Sequence, residues 1–258
     1  MNETGEFRLI VGEGATARDI AVARRPGDSP GLLWLGGFRS DMSGKKALAV
    51  DAYAARHGLA ATRFDYSGHG LSAGRFEDGT ISRWLEEALA VFDRCSDGPQ
   101  ILVGSSMGGW LALLLAEARR ESRRAVGIVL IAPAVDMTRA LMWDRWTKKA
   151  RAQLEKTGLY LQPSGYSPEP YPITRALIED GDRHLFGDRL IEPGCPVHIL
   201  QGTDDTDVPQ SHATGLLTRF ASDDVVLTLI KGGDHRLSRP EDLERLEGAI
   251  GGIIAEMK

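Results

Sequence analysis

Gly104-Ser105-Ser106-Met107-Gly108 carries the strongest chemical signal in the chain. It places a serine between two glycines, after the apolar run Ile101-Leu102-Val103 and before the helix-like Met107 to Arg119. That is the strand–turn–helix setting of a G-x-S-x-G nucleophile. Small residues let the backbone turn sharply, so the serine Oγ stands clear of a sheet and beside a helix N-terminus. Unpaired N–H groups and the helix dipole there stabilise an oxyanion. A Gly/Ser cluster alone is an ordinary turn; the flanking strand and helix make Ser106 the expected nucleophile. Ser105 competes for the role but holds the second position of the motif, and it is expected to point away.

A serine hydroxyl needs a base, and the base needs an acid to orient it. His235 follows the strand-like Val225 to Ile230, in Lys231-Gly232-Gly233-Asp234-His235. Asp205 follows the apolar Val197 to Leu200, in Gly202-Thr203-Asp204-Asp205-Thr206-Asp207-Val208-Pro209. Both lie at the carboxyl ends of predicted strands, the edge at which parallel sheets hold their sites. The G-x-x-D-x-x-V-P register selects Asp205, while Asp207 could cap the next helix and Asp204 could be solvated. His69, in a Gly-rich turn, is the main rival for the base. His198 reads as strand core, His57 and His212 as helix residues, and His184 as part of a long insertion. The loop Leu35-Gly36-Gly37-Phe38 offers the Phe38 amide to an oxyanion hole beside that of Met107, the alternative being a plain glycine turn.

The elements that must position these residues alternate. Phe7 to Val11 and Asp19 to Arg24 read as an N-terminal hairpin. Then follow the run Leu32 to Leu35, the helix Lys45 to His57 stopped by Gly58, the strand Ala60 to Phe64 and the helix Ile81 to Cys95. Ala125 to Ile131 is nearly continuous Val, Ile and Leu, as a buried strand requires. The helix Ser211 to Phe220 and a last helix after Ser238, with Ser238-x-x-Glu241 as a capping box, complete the series. The pattern predicts one α/β domain over residues 1–258, a mostly parallel central sheet with helices on both faces and an antiparallel hairpin at its start. Residues 136–191 break the rhythm and are expected to form a small inserted lid, with one amphipathic segment from Thr138 to Glu155 and then a Pro- and Tyr-rich stretch.

The chain has 258 residues, 42% hydrophobic and 26% charged, which suits a globular protein large enough to fold around its own core. A net charge of −5 gives no electrostatic reason to expect nucleic acid. Cys95 and Cys195 lie in no metal-ligand spacing and suit a reducing compartment. The acidic first residues lack a signal-peptide pattern, and the strongly apolar run Trp110 to Ala116 is too short to cross a bilayer. The expectation is a cytoplasmic protein without membrane insertion. Gly12-x-Gly14-x-x-Ala17 imitates a dinucleotide fingerprint but leads into a strand, and Gly37 to Gly44-Lys45 is too long for a P-loop. No nucleotide, other cofactor or metal is therefore expected. The oligomeric state is not legible.

From Gly31 to the final helix the chain resembles the α/β-hydrolase superfamily. Asp65-Tyr66-Ser67-Gly68-His69-Gly70-Leu71-Ser72 is similar to the D-x-x-G-x-G-x-S turn of lidded members. Gly98 to Leu111, and less strongly Lys46 to Ala49 and Ser222 to Val226, resemble the ABHD-ten family of palmitoyl-protein thioesterases and acyl-glucuronide esterases. The resemblance implies a serine esterase or thioesterase acting through the residues already chosen. The chain departs from the frequent His-Gly of the superfamily at Gly36-Gly37 and at Gln201-Gly202. Animal relatives are mitochondrial, but the chain shows no Arg- and Ser-rich presequence.

The expected partner is a small ester or acylated substrate. Trp143, Trp146, Tyr160 and Tyr166, with Leu141 and Met142, could line an acyl pocket or pack the lid onto the domain. Lys148, Lys149, Arg151 and Arg39 could meet an anionic leaving group, or form solvated surface. A base of near-neutral pKa predicts activity that declines below roughly pH 6 to 7. A serine (amino)peptidase on the same fold and a noncatalytic ligand-binding protein are the competing readings.

Overall fold

The computed structural model describes residues 5–163, 165, 168–221 and 224–257. Strands β1 (Gly5–Val11) and β2 (Arg18–Arg25) pair antiparallel as the expected hairpin. The chain then runs through β3 (Asp28–Leu35), α1 (Lys45–His57), β4 (Leu59–Phe64), α2 (Ile81–Cys95), β5 (Gln100–Ser105), α3 (Met107–Ala118) and β6 (Ala125–Ile131). Before the sheet resumes come α4 (Lys148–Thr157), β7 (Leu159–Gln162), β8 (Tyr171–Thr174) and α5 (Arg175–Gly181). The last elements are β9 (Val197–Gly202), α6 (Gln210–Leu217), β10 (Val225–Ile230) and α7 (Pro240–Glu256). The eight-stranded sheet has the order β1-β2-β4-β3-β5-β6-β9-β10. From β4 to β10 every pair is parallel, and β2 is antiparallel to both neighbours.

Successive strand residues point to opposite faces. Leu33, Leu35, Leu102, Ile128 and Leu130 therefore join one core with Trp84 and Phe92 of α2 and Trp110 of α3. Leu32, Trp34, Ile101, Val103, Val129 and Ile131 join the other with Val50 and Tyr53 of α1 and Ile253 of α7. Burial on both faces is why these strands read as unbroken apolar runs. Helix α3 is buried at every position from Met107 to Ala116, which accounts for its lack of a polar face.

Two local details go beyond or against the sequence pattern. The amphipathic segment Thr138 to Glu155 folds in three pieces: a π-helical turn at Thr138–Met142 and a 3-10 turn at Trp143–Arg145 precede α4. Trp146 is extended (φ −74°, ψ 148°), and the Thr147 side chain then caps α4 by accepting from the Ala150 N–H at 3.2 Å. Contrary to expectation, Ser238 does not cap α7. Pro240 lacks an N–H and starts the helix, so Arg239 is the cap, and Asp242 accepts from its N–H (3.2 Å) and its Nε (2.8 Å). Residues 132–196 return to the sheet through Asp136, whose carboxylate accepts from the N–H groups of Phe186 (2.8 Å) and Gly187 (3.0 Å). Among the described residues no helix is long and apolar enough to cross a membrane.

Candidate active site

Ser106 sits between β5 and α3 with φ 54° and ψ −117°. A non-glycine residue in such a conformation costs roughly 1–3 kcal/mol and persists only where its surroundings hold it. They do so here: the Ser106 N–H donates to the Ile131 carbonyl at 2.9 Å, and its carbonyl accepts from Gly109 and Ala134. The flanking glycines are obligatory for close approach. A Cβ on Gly108 would overlap the Leu35 carbonyl, and one on Gly104 would overlap that of Gly108.

The parallel sheet carries two further loops to the same edge. Nε2 of His235, from the loop after β10, lies 3.1 Å from Ser106 Oγ, and its Nδ1 lies 2.8 Å from Asp205 Oδ2. Asp205 is buried, and its Oδ1 accepts from the N–H groups of Asp207 (3.0 Å) and Val208 (2.9 Å). Of the three neighbouring aspartates, Asp205 is thus the one joined to the imidazole. Sequence reasoning missed Gln201. This buried amide donates to the Val208 carbonyl (2.9 Å) and to Asp205 Oδ2 (3.2 Å), bracing the acid from beneath. Its departure from His-Gly was the available signal.

Met107 heads α3, so its N–H has no acceptor within the helix. Phe38 lies on the loop after β3 and faces Ser106 across the two clefts that meet there. The rival His69 has other partners. It is buried, with Nδ1 at 3.2 Å from the Ser67 carbonyl and Nε2 at 3.2 Å from the Arg39 N–H. Burial, opposed by the Ser67 bond and aided by the Arg39 charge, pushes it down to about 4. Among the other histidines, His198 bonds Thr228 and His184 bonds Ser82.

One cleft, of about 380 Å³, is walled by Ala134, Met137, Leu141, Met142, Trp146 and Tyr160 on one side and bordered by Arg145, Gln162, Thr206 and Asp207. The other, of about 680 Å³, carries more bases than acids, with Arg39, Lys45, Lys46, Arg236 and Arg239 along it against Asp41 and Asp234. Burial pushes the Lys46 ammonium down to about 8 although Asp234 lies nearby. Trp143, expected either beside the substrate or in the packing of the lid, packs against the core and lines a separate groove with Arg139 and Arg175. The guanidinium of Arg151 stands 5.4 Å from its ring, and Arg151 Nε donates to its carbonyl at 2.8 Å, which ties Trp143 to α4. Tyr166 lies outside the described residues. Lys148 and Lys149 are exposed and line neither cleft at Ser106. Among the described residues one group, Asp205, Asp207 and His235, brings three potential metal-ligand atoms within 4.8 Å, and two of its members are the pair already bonded to each other.

Comparison with known proteins adds relatives to this geometry. A family model described as the alpha/beta hydrolase family matches residues 26–246. Human palmitoyl-protein thioesterase ABHD10, mitochondrial, is 35% identical over 240 residues, covering 93% of this chain and 78% of that protein. A putative hydrolase from Agrobacterium vitis S4 superposes with a TM-score of 0.94 at 50% identity, covering 98% of this chain and 100% of the other. Mouse alpha/beta hydrolase domain-containing protein 10 superposes with a TM-score of 0.88 at 32% identity, with the same coverage of 98% and 100%. These relatives correct the cytoplasmic expectation, since the curated ABHD10 proteins are named mitochondrial. An acidic N-terminus was too weak a ground for it.

Proposed function

The chain belongs to the α/β-hydrolase family, and on that premise we propose that it cleaves carboxylic esters or acyl thioesters through a Ser106–His235–Asp205 triad. The observation that carries the reading is the bridge made by one imidazole, 3.1 Å from Ser106 Oγ and 2.8 Å from Asp205 Oδ2. In this mechanism His235 Nε2 takes the Ser106 proton as Oγ attacks the acyl carbon. Asp205 holds the proton on Nδ1 and stabilises the imidazolium that forms. The Phe38 and Met107 amides receive the oxyanion. His235 then gives its proton to the leaving alcohol or thiol, and water repeats the sequence to free the acid.

The wall formed by Met137, Leu141, Met142, Trp146 and Tyr160 suits the acyl chain, and the relatives named palmitoyl-protein thioesterases favour a thioester among the substrates. Residues 136–191 serve as the lid that carries this wall, with the rest of the chain as one domain. The test is hydrolysis of p-nitrophenyl butyrate, a long-chain acyl thioester and an aminoacyl p-nitroanilide. Wild type turns over the first two and not the amide. Ser106→Ala loses turnover by on the order of 10⁶, whereas Ser105→Ala stays active. Turnover surviving in Ser106→Ala would overturn the proposal.

A further inference from the structure

The loop after β3 is held from an unexpected direction. Arg39, one peptide beyond Phe38, has a left-handed backbone (φ 59°) although it is not glycine. Such a conformation needs an external hold, and the N–H of that residue donates to Nε2 of His69 at 3.2 Å. The other ring nitrogen, Nδ1, donates to the Ser67 carbonyl at 3.2 Å, which also accepts from Trp84 Nε1. Those two bonds require a single tautomer, with the proton on Nδ1 and the lone pair on Nε2. The rings of Tyr66 (5.8 Å), Phe76 (5.2 Å) and Trp84 (5.3 Å) box the imidazole, so it has little freedom to turn away.

The same turn grips the loop a second time. Asp65 accepts from the N–H groups of Met42 (2.7 Å) and Leu71 (2.8 Å), while Ser40 Oγ closes the loop on the Gly37 carbonyl at 2.8 Å. Gly37 is packed so near the nucleophile that a Cβ on it would stand 3.4 Å from Ser106 Cβ. The hold at Arg39 therefore lies two residues from backbone packed against the serine.

We propose that His69 is a positioning residue, whose Nε2 fixes the Phe38–Arg39 peptide so that the Phe38 amide is aimed at the oxyanion formed on Ser106 attack. The inference rests on the Ser106 mechanism proposed above. Burial keeps the ring neutral at physiological pH, so the acceptor is available throughout the working range.

The experiment compares wild type, Ser106→Ala, His69→Phe, His69→Asn and His69→Gln. Phenylalanine keeps the aromatic box and loses the acceptor; asparagine is too short to reach Arg39; glutamine brings an amide oxygen to the place of Nε2. Hydrolysis of p-nitrophenyl butyrate is read together with inhibition by an alkyl trifluoromethyl ketone. In that adduct Ser106 Oγ bonds the carbonyl carbon, the carbonyl oxygen takes the electron pair as an oxyanion, and the serine proton passes to His235. Misaiming one donor is expected to lower kcat by roughly 10- to 100-fold in His69→Phe and His69→Asn, with KM little changed. The ketone should weaken by the same factor as kcat/KM, and His69→Gln should recover most of the loss. If His69→Phe does not fold, the contrast between His69→Asn and His69→Gln decides.

Equal losses in His69→Asn and His69→Gln, unchanged ketone affinity alongside reduced kcat, or kcat within twofold of wild type in His69→Asn would each overturn the proposal. Turnover by Ser106→Ala would instead refute the triad itself, and the His69 inference would fall with it.

Discussion

The strands under Ser106 are held by apolar burial on both faces, whereas the segment between β6 and β9 packs its described apolar residues into one core only and adds polar ties at a few points. In the sheet, Leu102 and Val103 are fully buried in opposite cores. The joining segment buries Val135, Met142, Leu154, Ile173, Leu177 and Phe186 in the core that holds Leu102, and polar contacts pin it besides. Asp136 binds the Phe186 and Gly187 amides, Asp180 accepts from the Ser82 N–H and Oγ, and Arg145 donates to the Thr206 and Asp207 carbonyls. Apolar burial on both faces makes a rigid platform that sets loop ends to within the tolerance of a proton transfer. The cover shares one core with that platform and leaves the other to α1 and α7. The Arg145 bonds join the two regions, because they land on the loop that carries Asp205.

Asp205→Asn would sharpen the contrast most. An asparagine oxygen can still accept from the Asp207 and Val208 amides, which leaves its NH₂ facing His235 Nδ1 and forces the imidazole into the opposite tautomer. The expected fall in kcat is about 10⁴, with melting temperature nearly unchanged. A fall under tenfold in steady-state ester hydrolysis would mean that the platform does not work through this acid.

A smaller effect separates the two tryptophans of the cover. Trp146 stands on the apolar wall of the cleft at Ser106 and Trp143 does not. Trp146→Ala should raise KM for a long-chain thioester by about tenfold, equivalent to about 1.4 kcal/mol of lost contact, and spare a short-chain ester. Trp143→Ala should leave both substrates within about twofold. Similar chain-length profiles for the two variants would erase the distinction.

The smallest effect concerns acid. His69 has a folded pKa of about 4 against 6.5 when free, owing to burial, so the unfolded chain binds a proton that the folded chain refuses. The stability contributed by neutral His69 is complete above pH 6.5 and is lost as pH falls toward 4. Thermal melts of wild type and His69→Gln across that window should show any wild-type advantage shrinking as pH drops. An advantage that grows with acid would contradict the assignment of a buried neutral ring.

The elbow at Ser106, the loops of Asp205 and His235 and the N-terminal hairpin were legible because each depends on neighbouring residues: an apolar run, a glycine turn, the next element. Gln201 was not, because its value lies in folding back onto Val208 and Asp205. His69 looked like a rival base from its glycine-rich turn, and only the approach of the loop at Arg39, thirty residues earlier, gives it a different task. The β7–β8 pair was hidden by Pro163, Pro170 and Pro172, and the break at Trp146 by a helical spacing that continues through it. Which of its two expected places Trp143 takes was not legible, because its surroundings are set by Arg151, on a helix that begins only after the break.

The most direct test of the central claim is labelling of the purified protein with a fluorophosphonate, followed by intact mass and peptide mapping. One adduct should form, on the peptide holding Ser106, absent from Ser106→Ala and retained in Ser105→Ala. An adduct mapped to Ser105 or to another residue, or no adduct in wild type, would contradict the triad.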